Sequence, residues 1–194
     1  TSIELNGYLL ALNGAFNITT GASIDASADG SILYMSSSTA QNIPADLLEP
    51  SVANFVVENS GGVTLNSTMD ITESLSSLDG TLTTGGFITM KCSFGPPATN
   101  AVILEVKGII SGDITTEQCY PARRAFRMVS SPVNGGSIFD NWQNAGANEA
   151  GIGTHITGEI APALEDVGDF NATTGIDYTQ SGAPSLFSFS ATNG

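Results

Sequence analysis

Residues 61–72, GGVTLNSTMDIT, and residues 79–90, DGTLTTGGFITM, carry the pattern on which the reading of the fold turns. Each opens on a Gly-containing turn and continues as a short run in which apolar and polar residues alternate: Val63 and Leu65, Met69 and Ile71, Leu82 with Phe87 and Ile88 beyond. Period two puts alternate side chains on opposite sides of a pleated strand. The two segments superpose at an offset of 18, with Val63 over Thr81, Leu65 over Thr83, Met69 over Phe87 and Ile71 over Thr89. A coil of that length fits a parallel β-solenoid, in which each turn lays its strands on the turn before. An antiparallel sandwich also uses short strands and Gly turns, and spacing alone leaves both open.

The same texture extends in both directions, from the N-terminus to about residue 118. Turn signals recur at Asn6-Gly7, Asn13-Gly14, Asp29-Gly30, Gly61-Gly62, Asp79-Gly80 and Gly85-Gly86. The stretch AQNIPADLLEP (40–50) interrupts the alternation and suggests one helical turn. Ser, Thr, Asn and Gly supply 78 of the 194 residues, a β-and-turn composition short of strong helix formers on the surface. Near residues 120–134 the texture breaks, with Tyr120-Pro121 at one end and Ser131-Pro132 at the other. Beyond it the chain is looser, has no Lys or Arg, and holds the single Trp and the single His. The expected architecture is all-β: a right-handed parallel β-solenoid over 1–118, a junction over 119–134, and an incomplete β-rich, sandwich-like module over 135–194. Thr1 reads as a processed or truncated start, and SLFSFS (185–190) as a strand whose partner is missing.

Charge narrows the function classes. Five Lys and Arg stand against 19 Asp and Glu, a formal net charge of −14. Nucleic-acid phosphates and anionic lipid headgroups both require a basic surface, so neither is an expected partner. No run approaches the roughly 18 apolar residues of a membrane-spanning helix.

Residues 52–138 and parts of the following segment resemble a region common in large secreted surface proteins of Bacteroidota, those exported by the type IX secretion system. The resemblance is carried by NFVVENSGGVTLNSTMDITESLSSLDGTLTTGGFITM (54–90), by ITTEQCYPARRAFRMVSSPV (114–133) with SIFDNWQ (137–143), and by GIGTHITG (151–158) with FNATTG (170–175) and GAPSLFSFS (182–190). In similar proteins a basic residue usually stands where Cys119 stands here, and such proteins normally end in a sorting domain that this sequence does not contain. The resemblance implies an extracellular or cell-surface structural or adhesive protein, part of a longer rod or filament. Its partners would be neighbouring segments, copies of itself, or surface glycans. It implies no catalytic residues.

In an exported protein the two cysteines, Cys92 and Cys119, suggest one disulfide; two buried free thiols are the alternative. Arg123, Arg124 and Arg127 read as structural ion pairs fixing the junction, and otherwise as a clamp for carboxylates or acidic sugars. Glu165, Asp166, Asp169 and Asp177 alternate with Gly and Asn as Ca²⁺ loops do, although the plainer reading is a solvated loop; no other cofactor is expected. His155 lacks a recognisable nucleophile motif, with no G-x-S-x-G elbow in the chain. Trp142, Phe139, Tyr120 and Tyr178 make either a small core or a sugar-stacking platform. Asn17, Asn66 and Asn171 open N-glycosylation sequons, which matter only on a eukaryotic secretory route. The competing classes are a polysaccharide lyase or hydrolase on a β-helix, a glycan-binding module, and an ice-binding solenoid, for which Thr81, Thr83 and Thr84 form too short a row.

Overall fold

The computed structural model describes residues 2–95, 97–119, 135–143, 156–171, 174 and 176–187. The chain divides into two compact units, Thr1–Phe126 and Arg127–Gly194.

The first unit is a parallel β-solenoid. Its first coil holds β1 (Ser2–Glu4) and β2 (Leu9–Leu12); its second holds β3 (Ser23–Ala26), β4 (Ile32–Ser37) and β5 (Gln41–Ile43). In the third and fourth coils two rungs fuse into one long bent strand, β6 (Leu48–Asn59) and β8 (Met69–Asp79), followed by β7 (Val63–Leu65) and β9 (Thr81–Thr83). The fifth coil runs through β10 (Ile88–Met90), a small antiparallel hairpin of β11 (Cys92–Ser93) and β12 (Thr99–Asn100), then β13 (Val102–Val106) and β14 (Ile109–Ser111). The sixth begins with β15 (Ile114–Thr116).

Three faces result. The first stacks β1-β3-β6-β8-β10-β15, the second stacks β2-β4-β6-β8-β13, and the third stacks β5-β7-β9-β14. Every one of these pairings is parallel. Where the first face passes into the second the register shifts, with Val52 to Asn54 on β6 set beside the one-residue-longer step from Ile71 to Ser74 on β8.

Parallel stacking puts like side chains in columns. Leu10, Leu33, Phe55 and Leu75 follow one another across the second face. Ile71 lies beside Val52 and Met90 on the first face, and Val63 beside Leu82 on the third. Apart from the half-buried Leu10, these side chains are buried. Each large apolar side chain taken fully from water contributes about 1.5–3 kcal/mol, so the columns are the main driving force for coiling.

The structure corrects two expectations. The repeat between the two deciding segments is 19 residues, not 18: Val63 pairs with Leu82, Met69 with Ile88 and Ile71 with Met90. An offset of 18 would place Thr81, Thr83 and Thr89 over Val63, Leu65 and Ile71, whereas a one-residue shift returns Leu82, Ile88 and Met90 to inward positions and leaves the buried Thr84 in the place of Leu65. The 40–50 stretch forms no helical turn; it is β5, a turn in which Asp46 has φ 61°, and the start of β6. Burial of Ile43 and Leu47 in the core decides this against local propensity. In the first coil Leu5 is buried, with its N–H donating to the Asp25 carbonyl at 2.8 Å, while Leu9 is 57% exposed.

The described part of the second unit contains α1 (Ile138–Asn141), a two-stranded parallel sheet of β16 (Thr157–Ile160) and β17 (Asp177–Thr179), and a 3₁₀ turn at Leu164–Asp166. Phe139 and Phe170 pack with ring centroids 5.3 Å apart.

Candidate functional site

The polar chemistry of the solenoid is concentrated at its corners. Three seams join neighbouring coils through side chains that satisfy turn backbone groups. At the first corner the Gly7 N–H donates to Ser31 Oγ at 2.9 Å, and Asn54 Nδ2 donates to the Ser31 carbonyl at 3.1 Å and to Glu73 Oε2 at 2.6 Å. Glu73 Oε1 accepts from the Gly30 N–H at 2.9 Å, and Ser74 Oγ donates to Asn54 Oδ1. This seam crosses four coils.

The second corner is dry. Gln41 and Asn59 are 1% and 0% exposed. Gln41 Nε2 donates to the carbonyls of Leu12 (3.1 Å) and Gly14 (2.7 Å), Asn59 Nδ2 donates to Gln41 Oε1 at 2.7 Å, and the Gly61 N–H donates to Asn59 Oδ1 at 2.8 Å. Backbones also approach most closely here. A Cβ on Gly80 would stand 1.8 Å from the Asn59 carbonyl oxygen, and Gly80 has φ +70°. In the next coil Ser77 Oγ is buried without a hydrogen-bond partner. At the third corner Asn66 Nδ2 donates to the Ile43 carbonyl at 2.8 Å, and Thr84 Oγ1 donates to the carbonyls of Ser111 (3.3 Å) and Asp113 (2.8 Å).

Between the seams the third face presents an axial row, Asn42, Thr64, Thr83 and Ser111, set side by side by the register. Successive members sit on strands about 4.8 Å apart. Thr84 does not belong to this row, because it is fully buried and turned into the third seam.

A fourth cluster closes the fifth coil on the sixth. Cys92 and Cys119 form a disulfide with Cα atoms 5.5 Å apart, as the cysteine count suggested. The Lys91 ammonium pairs with Glu117 and lies 3.9 Å from Asp70 Oδ2. The Glu117 hydrogen bond holds Lys91 above the usual lysine range, against partial desolvation. Glu117 Oε2 also accepts from the Cys92 N–H at 3.3 Å, and Asn100 Oδ1 accepts from the Cys119 N–H at 2.7 Å. The second lysine, Lys107, pairs with Glu105 at 2.8 Å on the surface, and that hydrogen bond raises its pKa. Sequence reasoning passed over both pairs and all three seams.

Arg123, Arg124, Arg127, Tyr120 and His155 lie outside the described residues. The four acids offered as a Ca²⁺ set are not gathered: no group of three or more His, Cys, Asp or Glu among the described residues stands close enough to hold a metal ion. Asp166 Oδ2 instead accepts from the Ala163 N–H at 3.0 Å, Asp177 is buried with its N–H on the Ile156 carbonyl, and Glu165 and Asp169 are exposed. Glu159 in this unit is held below the usual carboxylate range by hydrogen bonds from Thr174 Oγ1 (2.6 Å) and Asn171 Nδ2 (2.7 Å). Phe139 meets Phe170 as a small core pair. A shallow groove of about 180 Å³ is lined by Ala161, Pro162, Ala163, Leu164, Val167 and Gln180, with Gln180 the polar exception. No helix among the described residues is long and apolar enough to cross a membrane. Compared with known proteins, the chain matches no family model, and neither a curated protein nor a solved structure matches it.

Proposed function

We propose that the chain is a non-enzymatic structural and adhesive element of an extracellular or cell-surface rod, working alongside neighbouring segments or further copies of itself. The observation that carries this reading is the division of labour within each rung. Apolar columns fill the inside, polar seams lock the corners, and the third face repeats uncharged hydroxyl and amide groups along the axis. Such a face suits repeated weak hydrogen bonding to a polymer surface, since many individually modest contacts add through multivalency. A disulfide beside these coils suits an oxidising compartment. The net charge of −14 favours solubility and disfavours anionic polymers as ligands.

Affinity electrophoresis on neutral and acidic polysaccharides, with reducing ends assayed in the same gels, tests the reading. Retardation on neutral polymers without release of reducing ends is the expected result. Released ends would make the chain a polysaccharide-active enzyme on a solenoid scaffold. A strict monomer in sedimentation, retarded by nothing, would remove both the adhesive and the rod readings.

A further inference from the structure

The sixth-coil rung is held in an unusual way. Among the described residues β15 pairs with β10 alone, over three residues. Beyond it Glu117 and Cys119 are fastened in several ways: the Glu117 N–H donates to the Met90 carbonyl at 2.8 Å, Glu117 pairs with Lys91 and accepts from the Cys92 N–H, and Cys119 is tied to Asn100 and to Cys92. All these partners lie at Met90–Cys92 or Asn100, in the fifth coil beside β10. Meanwhile β13 and β14 each have a single paired strand among the described residues, β8 and β9, and carry poorly covered side chains, Leu104 at 67% and Ile109 at 63% exposure. Beyond Cys119 the first unit continues to Phe126, after which the chain enters the second unit.

We infer that the Cys92–Cys119 disulfide is a tension bypass. Force entering the solenoid from residue 120 onward meets Cys119, crosses the covalent bridge to Cys92, and passes to β10, an interior rung flanked by β8 and β15. The stretch between the cysteines, which contains β13, β14 and β15, carries none of the load. Without the bridge the same force enters at β15 and opens that rung, then β14 and β13, one hydrogen-bonded pair at a time. Coils held only by nearest neighbours fail in that sequential way. The purpose assigned to the bypass rests on reading the chain as part of a rod that transmits force; the load path itself follows from the connectivity.

The experiment is single-molecule force extension of the whole chain, held at its two ends, with and without reductant. With 27 residues separating the cysteines, the reduced chain gains about 90 Å of contour length. The expected result is that this length appears as a separate event, or short series, at lower force than the rupture of the remaining coils, and that the oxidised chain lacks it. A Cys92→Ser/Cys119→Ser variant should behave as the reduced chain while keeping its unloaded β circular dichroism. If the extra length is released only together with the remaining coils, at the same force as in the oxidised chain, the bypass is overturned. A variant with no β signal at all also overturns it, because the bridge would then be a requirement for folding. Neither failure bears on the polysaccharide test, so the two readings fall separately.

Discussion

Replacing Asn59 with Ala perturbs the dry corner at its most committed residue. Its amide makes two hydrogen bonds, to Gln41 Oε1 at 2.7 Å and from the Gly61 N–H at 2.8 Å, and its side chain is fully buried. Two net hydrogen bonds are worth about 2 kcal/mol together. Truncation also leaves Gln41 Oε1 without a partner in a residue that is 1% exposed, which adds about 1–3 kcal/mol. The expected loss is therefore about 3–5 kcal/mol, a fifth or more of the ~5–15 kcal/mol that stabilises a typical domain. Urea unfolding followed by far-ultraviolet circular dichroism reads it as a lower midpoint at unchanged slope. Because Gln41 and Asn59 share one bond, the Gln41→Ala/Asn59→Ala double variant should be more stable than the sum of the single losses predicts, by about 1–2 kcal/mol. A single-variant loss under about 1 kcal/mol, or an additive cycle, would refute the argument that buried amides hold this corner in register.

Three further outcomes follow from the same geometry. Gly80→Ala, with a Cβ 1.8 Å from the Asn59 carbonyl oxygen at φ +70°, should cost more than about 3 kcal/mol or prevent folding, whereas Gly30→Ala, at φ +75° with open space around it, should cost only about 1–2 kcal/mol; thermal melts of the two compare them. Ser77→Ala removes a buried hydroxyl that has no partner, so its stability in urea unfolding should stay level or rise by up to about 1 kcal/mol. Lys91 is held above the ordinary lysine value by Glu117, so its contribution is present in full below about pH 10.5 and lost as pH rises through the folded value. The stability difference between the wild type and Lys91→Met should accordingly shrink in alkaline titration above that pH, and a difference independent of pH to the end of the alkaline range would contradict the pairing.

The solenoid was legible in the sequence because period-two alternation and Gly turns are local signals. Strand existence came from runs such as 63–65, 69–71 and 88–90. Register was harder. Matching the segments by their Gly turns gives 18, whereas the core selects 19, since only burial distinguishes Thr81 from Leu82 as the neighbour of Val63. The 40–50 stretch misled for a related reason: its Ala, Asp and Leu residues suit a helix, yet Ile43 and Leu47 are needed in the columns on either side of a turn. The disulfide could be read from a count of two cysteines. The seams could not, because Gln41 and Asn59, Asn54 and Glu73, and Lys91 and Glu117 are separated by 18, 19 and 26 residues. Coils of unequal length hide such partnerships from any fixed spacing.

That inequality of coil length has a practical side. Between β10 and β13 the chain leaves the wall of the solenoid, makes the hairpin of Cys92–Ser93 with Thr99–Asn100, and returns to stack Val102 beside Ser74, with β10 still seated on β8. The rungs on either side are indifferent to the length of the excursion, and its base is cross-linked through Cys92 and buttressed by Asn100. Phe94, near its tip, is 80% exposed. The hairpin is therefore a natural graft point: a foreign peptide spliced between Ser93 and Thr99 would be displayed on a covalently anchored stalk, while the coils beneath kept their register.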